Sequence, residues 1–284
     1  MKKSLIISSA LLLAACSASP GMENMDHMNH SESSSSMSQM TDRLNTSPRH
    51  QEWVEVNNDG KIIYTWVVYP ETDKPAPVVV LIHENKGLND WARSMADQIA
   101  EAGYIAVAPD MLSGFSPDKK RTSDFATPDE ATKAISQLKP EQVASDLQAV
   151  TDWSKTIPSS NKKLVSAGFC WGGSQSFAFA TKTDDLTAAL VFYGTGPTDT
   201  SAYSKIDAPV FGFYGGADQR VNATIDASKQ AMEAAGKSFD SVIYDGAGHA
   251  FMRSGEDPNG DPANVAAREA AWQRMQEILA TLRE

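Results

Sequence analysis

Residues 77–83 read "PVVVLIH", apolar up to the last residue. A strand with one face in water alternates polar and apolar side chains, whereas an unbroken apolar run belongs to a strand covered on both faces, as in a parallel sheet. The neighbouring stretches supply the rest of such a sheet. "EWVEVN" (52–57) and "KIIYTWVVY" (61–69) read as a leading hairpin across Asn57, Asn58, Asp59 and Gly60, with Asp-Gly making the turn. The helix "NDWARSMADQIAEAG" follows, with Asn89 as its cap and Gly103 as its stop. Then come the strand "YIAVAP", a long excursion from Asp110 to Pro140, and the helix "PEQVASDLQAVTDWSKTI". Three more strands, "LTAALVFYG", "APVFGFYGG" and "FDSVIYDG", are interleaved with or followed by the helices "NATIDASKQAMEAAG" and "DPANVAAREAAWQRMQEIL". This order predicts an α/β domain with a mostly parallel central sheet and helices on both faces. It contains no internal repeat, and its roughly 230 residues suit one domain.

A single turn narrows the fold further. Residues 166–173 read "SAGFCWGG", between the apolar "KKLV" and the helix-like "SQSFAFATKT". Glycines two residues before and two after one central residue, at a strand-to-helix turn, make the spacing of a nucleophile elbow. The central position is Cys170. Two leading antiparallel strands and an elbow after a central strand predict the α/β-hydrolase fold. In that fold the chain order is nucleophile, acid, histidine. Asp218 ("GADQRV") and His249 ("GAGHAF") follow late strands in that order, at the carboxyl edge where open α/β sheets bind ligands. Asp218 can also serve as a helix cap. Of five histidines only His83 and His249 end domain strands, and His83 reads as a partner of nearby backbone rather than a catalytic group.

These residue types make one chemical unit. A thiol attacks a carbonyl as thiolate, and an ordinary cysteine with pKa about 8.5 is mostly protonated at neutral pH. His249 can take the proton while Asp218 fixes the imidazole tautomer and stabilises the imidazolium. The start of the helix after Cys170 adds a positive dipole end. The expected oxyanion donors are the backbone N–H groups of Trp171 and Asn85. A thiolate leaves readily, so activated esters and strained lactones fit better than amides. No cofactor is expected: no dinucleotide fingerprint, phosphate-cradling loop or metal-ligand spacing occurs in the domain.

The stretches "HENKGL", "RSMADQIAEAGYIAVAPD", "GFCWGG", "YGGADQRV" and "YDGAGHAFMRSG" together resemble the dienelactone hydrolase family, the carboxymethylenebutenolidases, over about Trp53 to Leu282. The loop "TSDFATPDEATKAI" is similar to family members distinct from the type enzyme. The resemblance implies a carboxylic ester hydrolase in which Cys170, Asp218 and His249 form the triad. It implies that Glu84 gates the thiol, contacting it at rest and swinging away when substrate binds. Glu84 can alternatively be a simple salt-bridge partner. Arg253 matches one of two arginines that hold the substrate carboxylate. The second should follow "APD", where this chain has "MLSGF" and the nearest position is Gly114. Lys119, Lys120 and Arg121 are the charges available to replace it.

The N-terminus bears on location. "MKKSLIISSALLLAAC" has two lysines, a short apolar core and small residues before Cys16, the pattern of a cleaved secretory signal too short to span a bilayer. Leu13-Ala14-Ala15-Cys16 resembles a bacterial lipobox, so residues 1–15 are expected to be removed and Cys16 lipidated. Residues 16–48, serine-rich and without apolar periodicity, read as a disordered tether, and 49–284 as the domain. The expected place is the cell envelope, at the periplasmic face of the outer membrane. With Cys16 committed, Cys170 has no disulfide partner, because the chain has two cysteines. Removing Lys2 and Lys3 from the 25 basic residues leaves 23 against 36 acidic ones, or −13. That charge argues against nucleic-acid binding and against unaided binding to anionic lipid. The expected partners are a small ester or lactone and, through the lipid, the membrane, with the protein a monomer. Two other readings remain: a non-catalytic scaffold lipoprotein, or a copper-handling one through Met22, Met25, Met28, His27 and His30 of the tether.

Overall fold

A computed structural model describes residues 34–283. The signal-like residues 1–15, Cys16 and the Met/His cluster lie outside the described residues. The strands are β1 (Gln51–Asn58), β2 (Lys61–Val68), β3 (Ala76–Ile82), β4 (Ile105–Pro109), β5 (Ser160–Phe169), β6 (Ala188–Phe192), β7 (Val210–Gly215) and β8 (Phe239–Tyr244). They form one sheet in the order β1-β2-β4-β3-β5-β6-β7-β8. β1 and β2 are antiparallel to each other, β2 is antiparallel to β4, and all remaining neighbours are parallel. The helices are α1 (Ser34–Thr46), α2 (Asp90–Glu101), α3 (Pro128–Ile135), α4 (Pro140–Ser154), α5 (Trp171–Phe179), α6 (Gln219–Asn222), α7 (Ile225–Ala234), α8 (Phe251–Ser254) and α9 (Pro262–Ala280). This is the α/β-hydrolase fold.

The run in β3 behaves as its composition requires, every residue being buried. Val79 and Leu81 face one core layer with Trp91, Met95 and Ile99 of α2 and Met275 and Leu279 of α9. Val78, Val80 and Ile82 face the other, with Val143 and Leu147 of α4 and Phe177 and Phe179 of α5. A polar residue on either face would be buried without a partner, which is why the run has none. The hairpin closes with Asp59 at φ 49° and Gly60 at φ 92°, both on the left-handed side as a twist-matched two-residue turn demands. Asn89 caps α2 by accepting from the Ala92 N–H at 3.1 Å, and Gly103 leaves the helix at φ 91°.

Four local expectations are corrected. Residues 34–46, read as part of the disordered tether, form α1. Serine-rich sequence is a weak helix former, and tertiary contact supplies what propensity does not. Met40 is 4% exposed in the core, and Arg43 bonds Asp97 at 3.3 Å and Glu101 at 2.7 Å on α2. The excursion after β4 holds α3, capped by Thr127, which accepts from the Glu130 N–H, with proline in the first turn. The helix expected from Asn222 is α7, which starts at Ile225, and a short helix not expected from the sequence, α6, precedes it. A short helix, α8, follows His249, where no element was expected from the sequence.

Candidate active site

The parallel strands deliver their carboxyl ends to one edge, and a polar or reactive residue follows each of them. His83 and Glu84 follow β3, Asp110 follows β4, Cys170 follows β5, Tyr193 follows β6 and Asp218 lies beyond β7. Cys170 sits at φ 56° and ψ −115°, a strained conformation for a residue with a side chain. The strain is held from both sides. The Cys170 N–H donates to the Phe192 carbonyl at 3.0 Å. A methyl group on Gly172 would strike the carbonyl oxygens of Ile82 and His83, and one on Gly168 would strike the Gly172 carbonyl. The elbow glycines are therefore a packing requirement of the turn.

The structure brings the three expected residues into one line. His249 Nε2 lies 3.0 Å from Cys170 Sγ, and His249 Nδ1 lies 2.5 Å from Asp218 Oδ2. A carboxylate accepts only, so Nδ1 carries the ring proton and Nε2 presents its lone pair to the thiol. The two readings of Asp218 are both realised, by different oxygens: Oδ1 accepts from the Val221 N–H at 3.3 Å and caps α6. Its side chain is 6% exposed while that of His249 is 32% exposed, so the acid is sheltered and the base open to solvent.

Around the sulfur the forces compete. Burial and then the negative charge of Glu84 push the Cys170 thiol up to about 11, while hydrogen bonds from the Trp171 and Asn85 N–H groups and the charge of Arg220 pull the other way. The resting group is thus a thiol at neutral pH. The two backbone donors named from sequence converge on the sulfur, where an oxyanion beside it would also lie within their reach. Glu84 is 3% exposed. Its Oε2 accepts from Arg253 Nε at 2.9 Å and its Oε1 from the Tyr193 hydroxyl at 3.3 Å. Arg253 is therefore paired with a buried carboxylate in this structure.

The other candidates part from the site. Gly114 is exposed at φ 63° with open space around it. Lys119 donates to the Asp124 carbonyl, and the Arg121 guanidinium lies over the rings of Trp53 and Tyr64 on the leading hairpin. These residues serve their own loop and the hairpin. His83 is fully buried, its Nδ1 bonds the Glu84 carbonyl at 2.7 Å and its Nε2 accepts from the Met111 N–H at 3.1 Å. Burial pushes its pKa down to about 4, so it is a neutral structural clamp between the loops after β3 and β4. Tyr193 was not singled out from sequence. Its hydroxyl bonds Glu84 and its ring meets that of His249 edge-on at 5.1 Å. Its position just past β6 was the available signal.

Comparison with known proteins gives the family and the fold. A family model described as "Dienelactone hydrolase family" matches residues 63–283. A protein of Methylorubrum extorquens named "Putative carboxymethylenebutenolidase" is 32% identical over 213 residues, covering 70% of this chain and 71% of its own. One of the same name from Saccharolobus solfataricus is 30% identical over 254 residues, covering 78% of this chain and 95% of its own. Among solved structures, a dienelactone hydrolase-like promiscuous phosphotriesterase from metagenomic libraries superposes with a TM-score of 0.69 at 22% identity, covering 82% of this chain and 98% of its own. At that identity the likeness is one of fold.

Proposed function

Because the chain belongs to the dienelactone hydrolase family, we propose that it hydrolyses small carboxylic esters or lactones with Cys170 as nucleophile, His249 as base and Asp218 as the orienting acid. The observation that carries this reading is the unbroken line from sulfur to imidazole at 3.0 Å and imidazole to carboxylate at 2.5 Å. A scaffold that only bound ligands would have no use for all three groups in register.

The chemistry follows from the contacts. As Sγ attacks the substrate carbonyl carbon, its proton passes to His249 Nε2, and Asp218 stabilises the imidazolium through Nδ1. The carbonyl electrons move onto oxygen, which accepts from the Trp171 and Asn85 N–H groups, a type of contact worth about 3–4 kcal/mol in the transition state. Collapse breaks the carbon–oxygen bond, and the departing alkoxide takes the proton from His249. In a lactone that oxygen stays attached as the new hydroxyl. Water then attacks the thioester with His249 as base, and Sγ leaves and is reprotonated. A rise of the resting thiol to about 11 means that proton removal is coupled to attack rather than completed beforehand. Burial of the sulfur, and after it the charge of Glu84, which Arg253 and Tyr193 hold in place, set that resting state.

The same reading makes the protein an exported lipoprotein, supported by the signal-like residues 1–15 and Cys16. Its catalytic half is tested by Cys170→Ala, which fits the elbow sterically. The variant should fold, as judged by circular dichroism, and lose p-nitrophenyl ester turnover. Hydrolysis retained by the folded alanine variant would rule out the cysteine mechanism.

A further inference from the structure

One imidazole just past β3 takes no part in the triad, yet it meets both residues whose N–H groups bond the Cys170 sulfur, Trp171 and Asn85. His83 is 0% exposed. Its Nε2 lies 3.1 Å from the Met111 backbone nitrogen, which can only donate, so Nε2 presents a lone pair and Nδ1 carries the proton. Nδ1 therefore donates to the Glu84 carbonyl at 2.7 Å. The same ring stacks on that of Trp171, with centroids 5.7 Å apart and planes inclined by 20°.

The position of that carbonyl gives the contact its consequence. It belongs to the peptide group joining Glu84 to Asn85, and the other polar end of that group is the Asn85 N–H. A trans peptide is planar, with its C=O and N–H pointing in opposite directions, so fixing one end aims the other. Two donors fix the carbonyl end: His83 Nδ1, and the Gly87 N–H at 3.3 Å, which closes the turn from Glu84 to Gly87. The opposite end then bonds the sulfur. A hydrogen bond accepted by the carbonyl also polarises the peptide and strengthens its N–H as a donor. Burial pushes the His83 pKa down to about 4, so the ring is neutral at neutral pH and its two nitrogens keep their separate roles.

We infer that His83 is the positioning residue of the oxyanion site: its Nδ1–H, fixed by the Met111 N–H on the far nitrogen, aims the Glu84–Asn85 peptide so that the Asn85 N–H meets the oxyanion of the tetrahedral intermediate. The inference rests on the ester-hydrolase reading above and deepens it. His83 acts through that peptide, so its removal leaves the donor present but poorly aimed. The loss should fall below the roughly 10²–10³-fold drop in kcat that follows deletion of a donor.

The test uses the full chain and p-nitrophenyl butyrate. His83→Leu, close in volume and without a donor, should lower kcat about thirtyfold and leave KM within about twofold, because the contact strengthens only as the oxyanion forms. His83→Gln, whose amide carries both a donor and an acceptor, should recover most of that loss. A trifluoromethyl ketone bonds its carbonyl carbon to Sγ while the thiol proton passes to His249 and the ketone oxygen becomes an oxyanion. It should bind His83→Leu more weakly by about the factor lost in kcat/KM. Alkylation of Cys170 by iodoacetamide forms no oxyanion, so its rate should stay within about twofold of wild type. A purely structural role would lower alkylation together with turnover. That result, or a folded His83→Leu with kcat/KM within about threefold of wild type, would overturn the inference. The nitrogen chemical shifts of the His83 ring in the wild-type protein give a check that needs no variant: a proton on Nδ1 supports the inference and one on Nε2 overturns it. Cys170→Ala separates the two layers of the argument. If wild type does not cleave the ester, or Cys170→Ala cleaves it as well as wild type, the hydrolase reading falls and takes the inference with it. If turnover depends on Cys170 but does not respond to His83→Leu, only the inference falls.

Discussion

At Cys170 two influences hold the proton on sulfur, burial first and the charge of Glu84 second. Only the second can be removed by a conservative change. Glu84→Gln should therefore lower the thiol pKa below its resting value of about 11, because the amide keeps the shape and loses the repulsion. The pH dependence of alkylation by iodoacetamide measures this, and an unchanged or raised pKa would show that Glu84 does not act on the thiol. The elbow glycines make a second prediction. Gly172→Ala forces a methyl group onto backbone oxygens that belong to β3 and the loop after it, and backbone yields less readily than a side chain. Loss of about 3 kcal/mol or more is expected in urea unfolding. Cys170, Asp218 and His249 were readable in the sequence because each follows a strand and carries chemistry that solvent or core alone would not require. Tyr193 was not, since an aromatic residue at a strand end reads as core until its hydroxyl is seen on Glu84.

Between elements, the least legible contact was that of α1 with α2. Asp97 of α2 has a side chain with 0% exposure, which its own helix cannot satisfy. The segment before β1 supplies the partners: Arg49 Nε and Nη2 at 2.9 and 2.7 Å, Ser47 Oγ at 2.5 Å and Arg43 Nη1 at 3.3 Å. Burial alone would push the Asp97 carboxyl up, but the bonds from Arg49 and Ser47 outweigh it and hold the group below its ordinary value. A depressed folded-state pKa gives stability that is present above the unfolded value of about 3.9 and lost as pH falls through the folded one. Arg49→Ala should therefore cost about 3 kcal/mol near neutral pH, the usual result of removing one partner of a buried pair. That cost should shrink as the pH falls below the unfolded value and through the depressed folded-state pKa of wild-type Asp97, beneath which the carboxyl is protonated in both proteins. Urea midpoints across this range decide it, and a cost independent of pH would mean that Arg49 acts by packing alone. For the same reason a chain beginning after α1 should be less stable than one beginning before it. From sequence the strands and the long helices were clear, because a sheet buried on both faces leaves an unmistakable apolar pattern. α1, α3, α6 and α8 were not: each is short or built from weak helix formers, and each is held by contacts that no local pattern announces.

For the molecule as a whole, charge and attachment have to be reconciled. The full chain carries −11, and without the two lysines of residues 1–15 it carries −13, because 23 basic residues then face 36 acidic ones. Anionic lipid repels such a body, so no patch of the domain is expected to hold it at a membrane surface. Among the described residues no helix is long and apolar enough to cross a bilayer. The attachment we propose must then come from the residues before α1, where Cys16 follows Leu13-Ala14-Ala15. A lipid anchor works through buried methylenes, each contributing about 0.8 kcal/mol, and is indifferent to the charge of what it carries. Three results follow for the protein expressed in a bacterium that processes lipoproteins. The full chain should sediment with membranes and stay there in high salt, since no electrostatic contact holds it. Cys16→Ser should move it to the soluble fraction. Ester turnover per molecule should stay within about twofold, because the triad and the donors at the sulfur all belong to the domain that begins near residue 34. A Cys16→Ser protein that still sediments, and is released by salt, would show that the domain itself binds the membrane and that the charge argument is wrong.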